Sequence, residues 1–372
     1  MSGSSPRPRS SEDYHHWQER NSDARKTVFR EAFTETVPPI PFAGNSSAIE
    51  PAMASLPPHV RAAFPPDVNA PAHLSFGQEY VVTMPQGRLL SNIGIVIGSD
   101  NVHLKDLSGG SFPGLAPHSL NFEGHYVPPV KRLKGTAAVL ATGLGQRNYY
   151  HWTTEILPRL RLLEQTRAQV DHYCIPRRHS YHVDSLLMMG IPRERLVSLG
   201  KYTHLQADTL MIPSVNRQEM TSDNARFLHD RLAARCGAQG DAPAPHKIYV
   251  ARRRRGWRRV LNESELMARL TPMGFRRYYL EDLSTQEQVR LFHHASMVVG
   301  PHGSGLVNLV YCRPGTRVVE IGTPVRPSGL FRIIAHHRGL RYLNYVGQAH
   351  DIHGDESNVR CDVNELVRLL AG

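Results

Sequence analysis

Gly300-Pro-His-Gly-Ser-Gly-Leu-Val-Asn308 is entered from the apolar run Ser296-Met-Val-Val-Gly300 and followed by Pro314-Gly-Thr-Arg-Val-Val-Glu320. The apolar run reads as a buried strand. His302, Gly303, Ser304 and Gly305 read as a turn, and the apolar segment to Tyr311 as a helix. A strand, a Gly-rich turn and a helix N-terminus together make an anion site. The free N–H groups of the first turn and the helix dipole both point at whatever sits there. Glycine lets a ligand approach the backbone, and His302 adds a donor. The guest that fits is a phosphate or diphosphate. The competing reading is a tight strand-to-helix turn with a hydrogen-bonded histidine.

Outward from this motif the second half of the chain alternates strand and helix. Lys247–Ala251, Phe275–Leu280 and Arg317–Ile321 read as strands, as does Leu340–Tyr345. Glu263–Leu270 reads as a helix capped by Asn262, and Ser284-Thr-Gln-Glu287 as a capping box opening another. Leu330–His337 and Val363–Leu370 read as helices. The first half has a similar rhythm from about Phe76. Two short strands fall within Arg88–Gly98, and Thr136–Thr142 is an apolar strand. A helix capped by Asn148 follows, with Tyr149, Trp152, Ile156, Leu160 and Leu163 at helical spacing. Ser222–Arg235 is a further helix. Residues 1–70 are rich in Pro, Ser and charge and read as a poorly ordered or loosely packed extension, with a short helix near Asp23–Phe33. A Gly/Ala/Pro linker at 237–245 then separates a domain at 71–236 from one at 246–372. Parallel-sheet rhythm on both sides predicts an α/β protein of two Rossmann-like domains facing a cleft.

Two further constellations carry chemistry. Six arginines fall within Arg252-Arg-Arg-Arg-Gly-Trp-Arg-Arg259, just past the carboxyl end of a strand, which is the ligand edge of such sheets. Guanidinium forks suit bidentate phosphate contacts, and Arg252 and Arg259, with Arg258 beside it, are the candidates. Arg253, Arg254 and Arg255 also read as a water-facing loop. In Asn148-Tyr-Tyr-His-Trp-Thr-Thr-Glu155, His151 and Glu155 are four apart and share a helix face. An imidazole oriented by a carboxylate is a sound general base; a structural His–Glu pair is the alternative. Asn308 would contact phosphate or fix the turn. Glu320, at a strand's carboxyl end, would accept from hydroxyls of a ligand or serve as a buried charge partner.

Composition narrows the classes. The chain has 372 residues and a formal charge of +11, which implies an anionic partner such as nucleic acid, anionic lipid or a phosphorylated substrate, or simply a solvated surface. No apolar run reaches the roughly 20 residues of a membrane span. The N-terminus lacks an apolar signal region, and four scattered cysteines read as reduced thiols of a cytosolic protein. No Asp-X-Asp triplet, metal-ligand spacing, Walker lysine motif or G-x-S-x-G elbow is present.

The three constellations, in this order, resemble glycosyltransferase family 61 in its bacterial branch of capsular polysaccharide biosynthesis proteins. The matching residues are Asn148-Tyr-Tyr-His-Trp-Thr-Thr-Glu-Ile-Leu-Pro-Arg-Leu160, Ile248-Tyr-Val-Ala-Arg252, Arg258-Arg-Val-Leu-Asn-Glu263, Gly274-Phe275, Gln288 and Gly300–Ile321. Ser304, Thr153 and Ala251 depart from the residues common there. The resemblance implies a GT-B fold and inverting transfer of a sugar from a nucleotide diphosphate sugar held mainly by the C-terminal domain. On that footing Arg252, Arg258, Arg259, Asn262, His302, Gly303, Ser304, Gly305, Asn308 and Glu320 would bind the donor without a metal or other cofactor. His151 would be the base for a hydroxyl of a glycan or lipid-linked glycan acceptor, oriented by Glu155. The expected setting is the cytoplasm, with peripheral contact at anionic membranes. An RNA or polyanion binder gripping through Arg252–Arg259 is disfavoured because Trp257 is the only nearby stacking platform; a degenerate transferase scaffold is the other alternative.

Overall fold

The computed structural model describes residues 8, 10–54, 71–108, 127–214, 219–233, 246–253, 257–324, 329–350 and 357–372. Arg254, Arg255 and the expected linker at 237–245 lie outside them. The chain forms two compact units, one of residues 1–33 and 75–218, the other of residues 34–74 and 219–372.

The first unit is built on a ten-stranded mixed sheet. Its main parallel run is His204–Pro213, Lys131–Val139, His172–Pro176 and Leu196–Leu199, adjacent in that order. Glu79–Pro85 and Arg88–Leu90 pair antiparallel with His204–Pro213, so the sheet is not the purely parallel one that the rhythm suggests. Ala137, Ala138, Val139, Leu140 and Ala141 are all buried, as the strand of a sheet covered on both faces requires.

The second unit carries a six-stranded sheet in the order Phe275–Tyr278, His246–Val250, Ala295–Pro301, Arg317–Gly322, Arg341–Val346, Phe42–Gly44. Every pair in it is parallel. Thr285–His293 and Leu330–His337 are helices between consecutive strands, and Val363–Ala371 closes the chain. Ser284 and Glu287 form the expected capping box.

The N-terminal segment differs most from its sequence reading. Arg25–Arg30 is a strand, not a helix, and pairs antiparallel with Glu79–Pro85. Thr27-Val28-Phe29 is β-branched and aromatic, and an available sheet edge overrides weak local helix propensity. Ser10–Glu12 pairs with Val102–Leu104. Trp17 is 1% exposed and donates to Asp100. Phe42–Gly44 completes the second sheet. The described part of residues 1–70 is thus woven into both units.

Three described cysteines, Cys174, Cys312 and Cys361, are buried free thiols; burial pushes Cys174 and Cys361 up to about 12. No helix among the described residues is long and apolar enough to cross a membrane.

Candidate functional site

In the second unit the Ala295–Pro301 strand delivers His302 at its carboxyl end, and Ser304–Tyr311 follows as a tightly wound 3₁₀ helix. The expected strand, turn and helix are all present. The turn is shaped by Arg252, whose Nη1 donates to the His302 carbonyl at 3.0 Å. A β-carbon on residue 303 would lie 2.1 Å from that nitrogen, so only glycine admits the guanidinium there. One on residue 305 would lie 2.7 Å from Leu280 Cδ1.

Arg252 is lowered from its ordinary value, first by burial, then by the charge of Arg258, with Glu281 opposing. The charges of Arg252 and Arg258 thus oppose each other, a balance that an anion would relieve. Arg258 and His302 share the wall of a small cavity with Thr323, Ser357 and Val359. Arg258 takes a positive φ of 61°, a strained position for a residue other than glycine. Arg259 is fixed through its backbone, donating to Asn358 and accepting from Val359. Its Nε is buried and has no hydrogen-bond partner among the described residues, the mark of a donor in want of an acceptor. Arg253 points elsewhere: it is exposed, paired with Glu281 and Asp282, and lies over Tyr279. Among the described arginines of the run, Arg252 is engaged at the turn and Arg253 faces solvent.

His302 Nδ1 faces Glu320 Oε1 at 2.5 Å. The Tyr342 hydroxyl donates to the other oxygen, Oε2, and Asn344 Nδ2 donates to Tyr342 at 3.3 Å. Glu320 is 1% exposed, and both of its carboxylate oxygens are engaged by partners within the fold. Burial, then Glu320, hold the Tyr342 hydroxyl well above the ordinary range, which keeps its proton in place as a donor.

Two expected donor-binding residues are engaged within the fold. Asn308 is fully buried and donates to Gln288, which in turn donates to the carbonyls of Leu280 and Leu283, a chain of contacts that fixes the turn. Asn262 does not cap its helix by side chain. Its amide donates to the Cys361 carbonyl and accepts from the Cys361 N–H. A backbone-like pairing partner 99 residues away outcompetes the local cap.

In the first unit Asn148 caps as expected, accepting from Tyr150 N. The helix starts as one α-turn, Tyr149–His151, and widens into a π-turn at Trp152–Ile156, marked by Leu157 N donating to the Trp152 carbonyl. Such widened turns recur at functional sites. His151 Nδ1 lies 2.6 Å from Glu155 Oε1. A carboxylate only accepts, so Nδ1 carries the hydrogen and Nε2 is the basic nitrogen. Thr142 donates to Glu155 Oε2 at 3.5 Å, and Gly145 N donates to Thr142. Buried Arg159 is pulled down to about 10 by burial, against the opposing charge of Glu155. His182 faces the Gly145 carbonyl at 3.2 Å, and burial pulls it down to about 4; being neutral, it donates there.

Thr142 and Tyr342 carry no local signal in the sequence, because each meets its partner across strands or turns; Arg159 and Gln288 are marked only by the family resemblance. Among the described residues no group of three or more His, Cys, Asp or Glu is arranged to hold a metal ion.

Comparison with known proteins points to one class. The Glycosyltransferase 61 family model matches residues 149–319, a span that holds His151, Glu155, Arg252 and His302. Among curated proteins the chain is similar to a beta-1,2-xylosyltransferase of Oryza sativa subsp. japonica, at 34% identity over 90 residues, 24% of this chain and 16% of that protein. It is also similar to the EGF domain-specific O-linked N-acetylglucosamine transferase of Drosophila melanogaster, at 28% identity over 148 residues, 35% of this chain and 28% of that protein. A third relative is protein O-linked-mannose beta-1,4-N-acetylglucosaminyltransferase 2 of Canis lupus familiaris, at 34% identity over 100 residues, 26% of this chain and 17% of that protein. The matches span less than a third of each relative's length.

Proposed function

We propose that this protein is a glycosyltransferase that moves a sugar from a nucleotide diphosphate sugar to a hydroxyl of a glycan acceptor. The observation that carries this reading is that the span matched to the family, residues 149–319, contains both an imidazole with a basic Nε2 and a turn lined by close-set guanidinium groups. The first suits abstraction of a hydroxyl proton, and the second suits a leaving diphosphate.

The reaction is a single displacement with inversion. The acceptor oxygen forms a bond to the anomeric carbon, and the bond from that carbon to the diphosphate oxygen breaks. The electron pair leaves with the nucleoside diphosphate, and the acceptor proton passes to His151 Nε2. Glu155 fixes the tautomer and offsets the new positive charge. Arg252, Arg258 and Arg259 stabilise charge as it develops on the leaving group, the kind of preorganised electrostatics that dominates many catalysed transfers. In this reading the two units are the halves of a GT-B enzyme, the second holding the donor. The wider setting we propose is cell-surface polysaccharide synthesis in the cytoplasm, on a lipid-linked glycan at an anionic membrane, a partner that suits a net charge of +11.

A thermal-shift screen against UDP, GDP, CMP and their sugars identifies the donor, since a ligand of the folded state raises apparent stability. Turnover of that donor is then measured for His151→Ala and Arg252→Ala. Loss of turnover in both supports the assignment, and rates close to the parent in either remove that residue's role.

A further inference from the structure

This inference rests on the reading of the Arg252–His302 turn as a diphosphate site. Nδ1 of His302 faces a buried carboxylate and therefore carries a hydrogen. In a neutral ring the other nitrogen, Nε2, is then an acceptor, and an acceptor repels a phosphate oxygen. His302 helps to hold a diphosphate only as an imidazolium.

The charges around the ring are poised for such a change. Glu320, from the Arg317–Gly322 strand, favours the imidazolium. Tyr342, from the Arg341–Val346 strand, draws part of that carboxylate's charge to itself by donating to it. Arg252, bonded to the His302 carbonyl, and Arg258, on the shared cavity wall, oppose protonation. The Leu330–His337 helix contributes the uncharged Phe331 ring, 5.1 Å from the imidazole, and Arg332, whose charge acts on Tyr342 and which donates to the Pro38 carbonyl. Among the described residues one carboxylate stands against two adjacent guanidinium groups. A diphosphate brings negative charge and tips that balance toward the protonated ring.

We propose that the donor binds together with a proton taken up on His302, and that Glu320 and Tyr342 are positioning residues that set how readily the proton is taken. Departure of the nucleoside diphosphate returns that proton, so binding and release are both linked to pH. His302 is then a third, switchable cation beside Arg252 and Arg258.

Isothermal titration calorimetry in two buffers of different ionisation enthalpy counts the protons taken up per ligand bound. The probes are UDP-glucose, UDP-N-acetylglucosamine and GDP-mannose, whose diphosphate diester keeps its charge from about pH 5.5 to about pH 9. Net uptake of a fraction of a proton, together with affinity that falls about tenfold as pH rises across that range, is expected. His302→Gln abolishes the uptake and binds with a flat pH profile. Glu320→Gln moves the loss of affinity to lower pH. Tyr342→Phe leaves the full carboxylate charge on His302, so the ring is already protonated and uptake near neutrality shrinks. A purely structural role for Tyr342 would leave the uptake unchanged. Tight binding without uptake, or uptake that persists in His302→Gln, overturns the inference and leaves the transferase reading intact. Should His302→Gln not fold, unchanged uptake in Tyr342→Phe overturns it. Failure of every nucleotide sugar to bind overturns both.

Discussion

Gly303 and Arg252 share one space: a β-carbon on residue 303 would lie 2.1 Å from Arg252 Nη1. The backbone of Gly303 is extended, with φ of 170°, so strain is not the reason for glycine here. Contact with Arg252 is. Gly303→Ala is expected to fold normally but to push the guanidinium off the His302 carbonyl. The donor kcat/KM should fall about ten- to a hundredfold, the scale of a misplaced binding group. Arg252→Ala added to Gly303→Ala should cost little more, because the two changes remove one interaction. Steady-state kinetics of the single and double variants measure both effects.

Glu155 is buried against His151 and Thr142, its two side-chain partners among the described residues. Glu155→Gln keeps its shape but removes the charge that stabilises the imidazolium and allows the wrong tautomer. A fall in kcat of about a hundredfold with little change in donor KM is expected. An equal rise in donor KM with unchanged kcat would instead make the pair structural.

Acid stability follows from buried neutral histidines. His182 is lowered from 6.5 to about 4 by burial, and His293 and His294 are lowered by burial and by Arg313. Arg313 lies against both rings, at 3.3 Å from each. A histidine held below its unfolded value contributes stability that is complete above that value and is lost as pH falls through the folded one. Thermal stability should therefore hold above about pH 6.5 and decline toward about pH 4, with His182 alone worth about 3 kcal/mol. His182→Gln, which keeps a donor for the Gly145 carbonyl, should flatten part of this acid limb in a melting series across pH.

Deletion of residues 1–44 tests whether the N-terminal segment is an appendage. Glu35 accepts from the N–H and hydroxyl of Ser222 and pairs with His337. Phe42–Gly44 covers the edge of the second sheet, and Arg25–Arg30 pairs in the first. Removal exposes sheet edges and strips a helix start, so the truncated protein should melt lower or aggregate. A loosely packed extension would leave the melting temperature unchanged.

The sequence by itself determined the strand, turn and helix around Gly300–Asn308, the parallel alternation after residue 246, and the His151–Glu155 pair. Each of these rests on local spacing: apolar runs for buried strands, glycines at a close approach, and two residues four apart on one helix face. Tertiary structure alone decided which of the candidate residues already have partners within the fold. Glu320 lies 18 residues from His302 and 22 from Tyr342, so only strand pairing reveals that its carboxylate is already engaged. Asn262 and Asn308 have side chains satisfied by Cys361 and Gln288, partners that no local pattern names. The Arg25–Arg30 strand needed a sheet edge before its weak propensity could resolve. Hydrogen-bonding capacity is written in the residue type, but which partner uses it is settled by what the fold brings within reach.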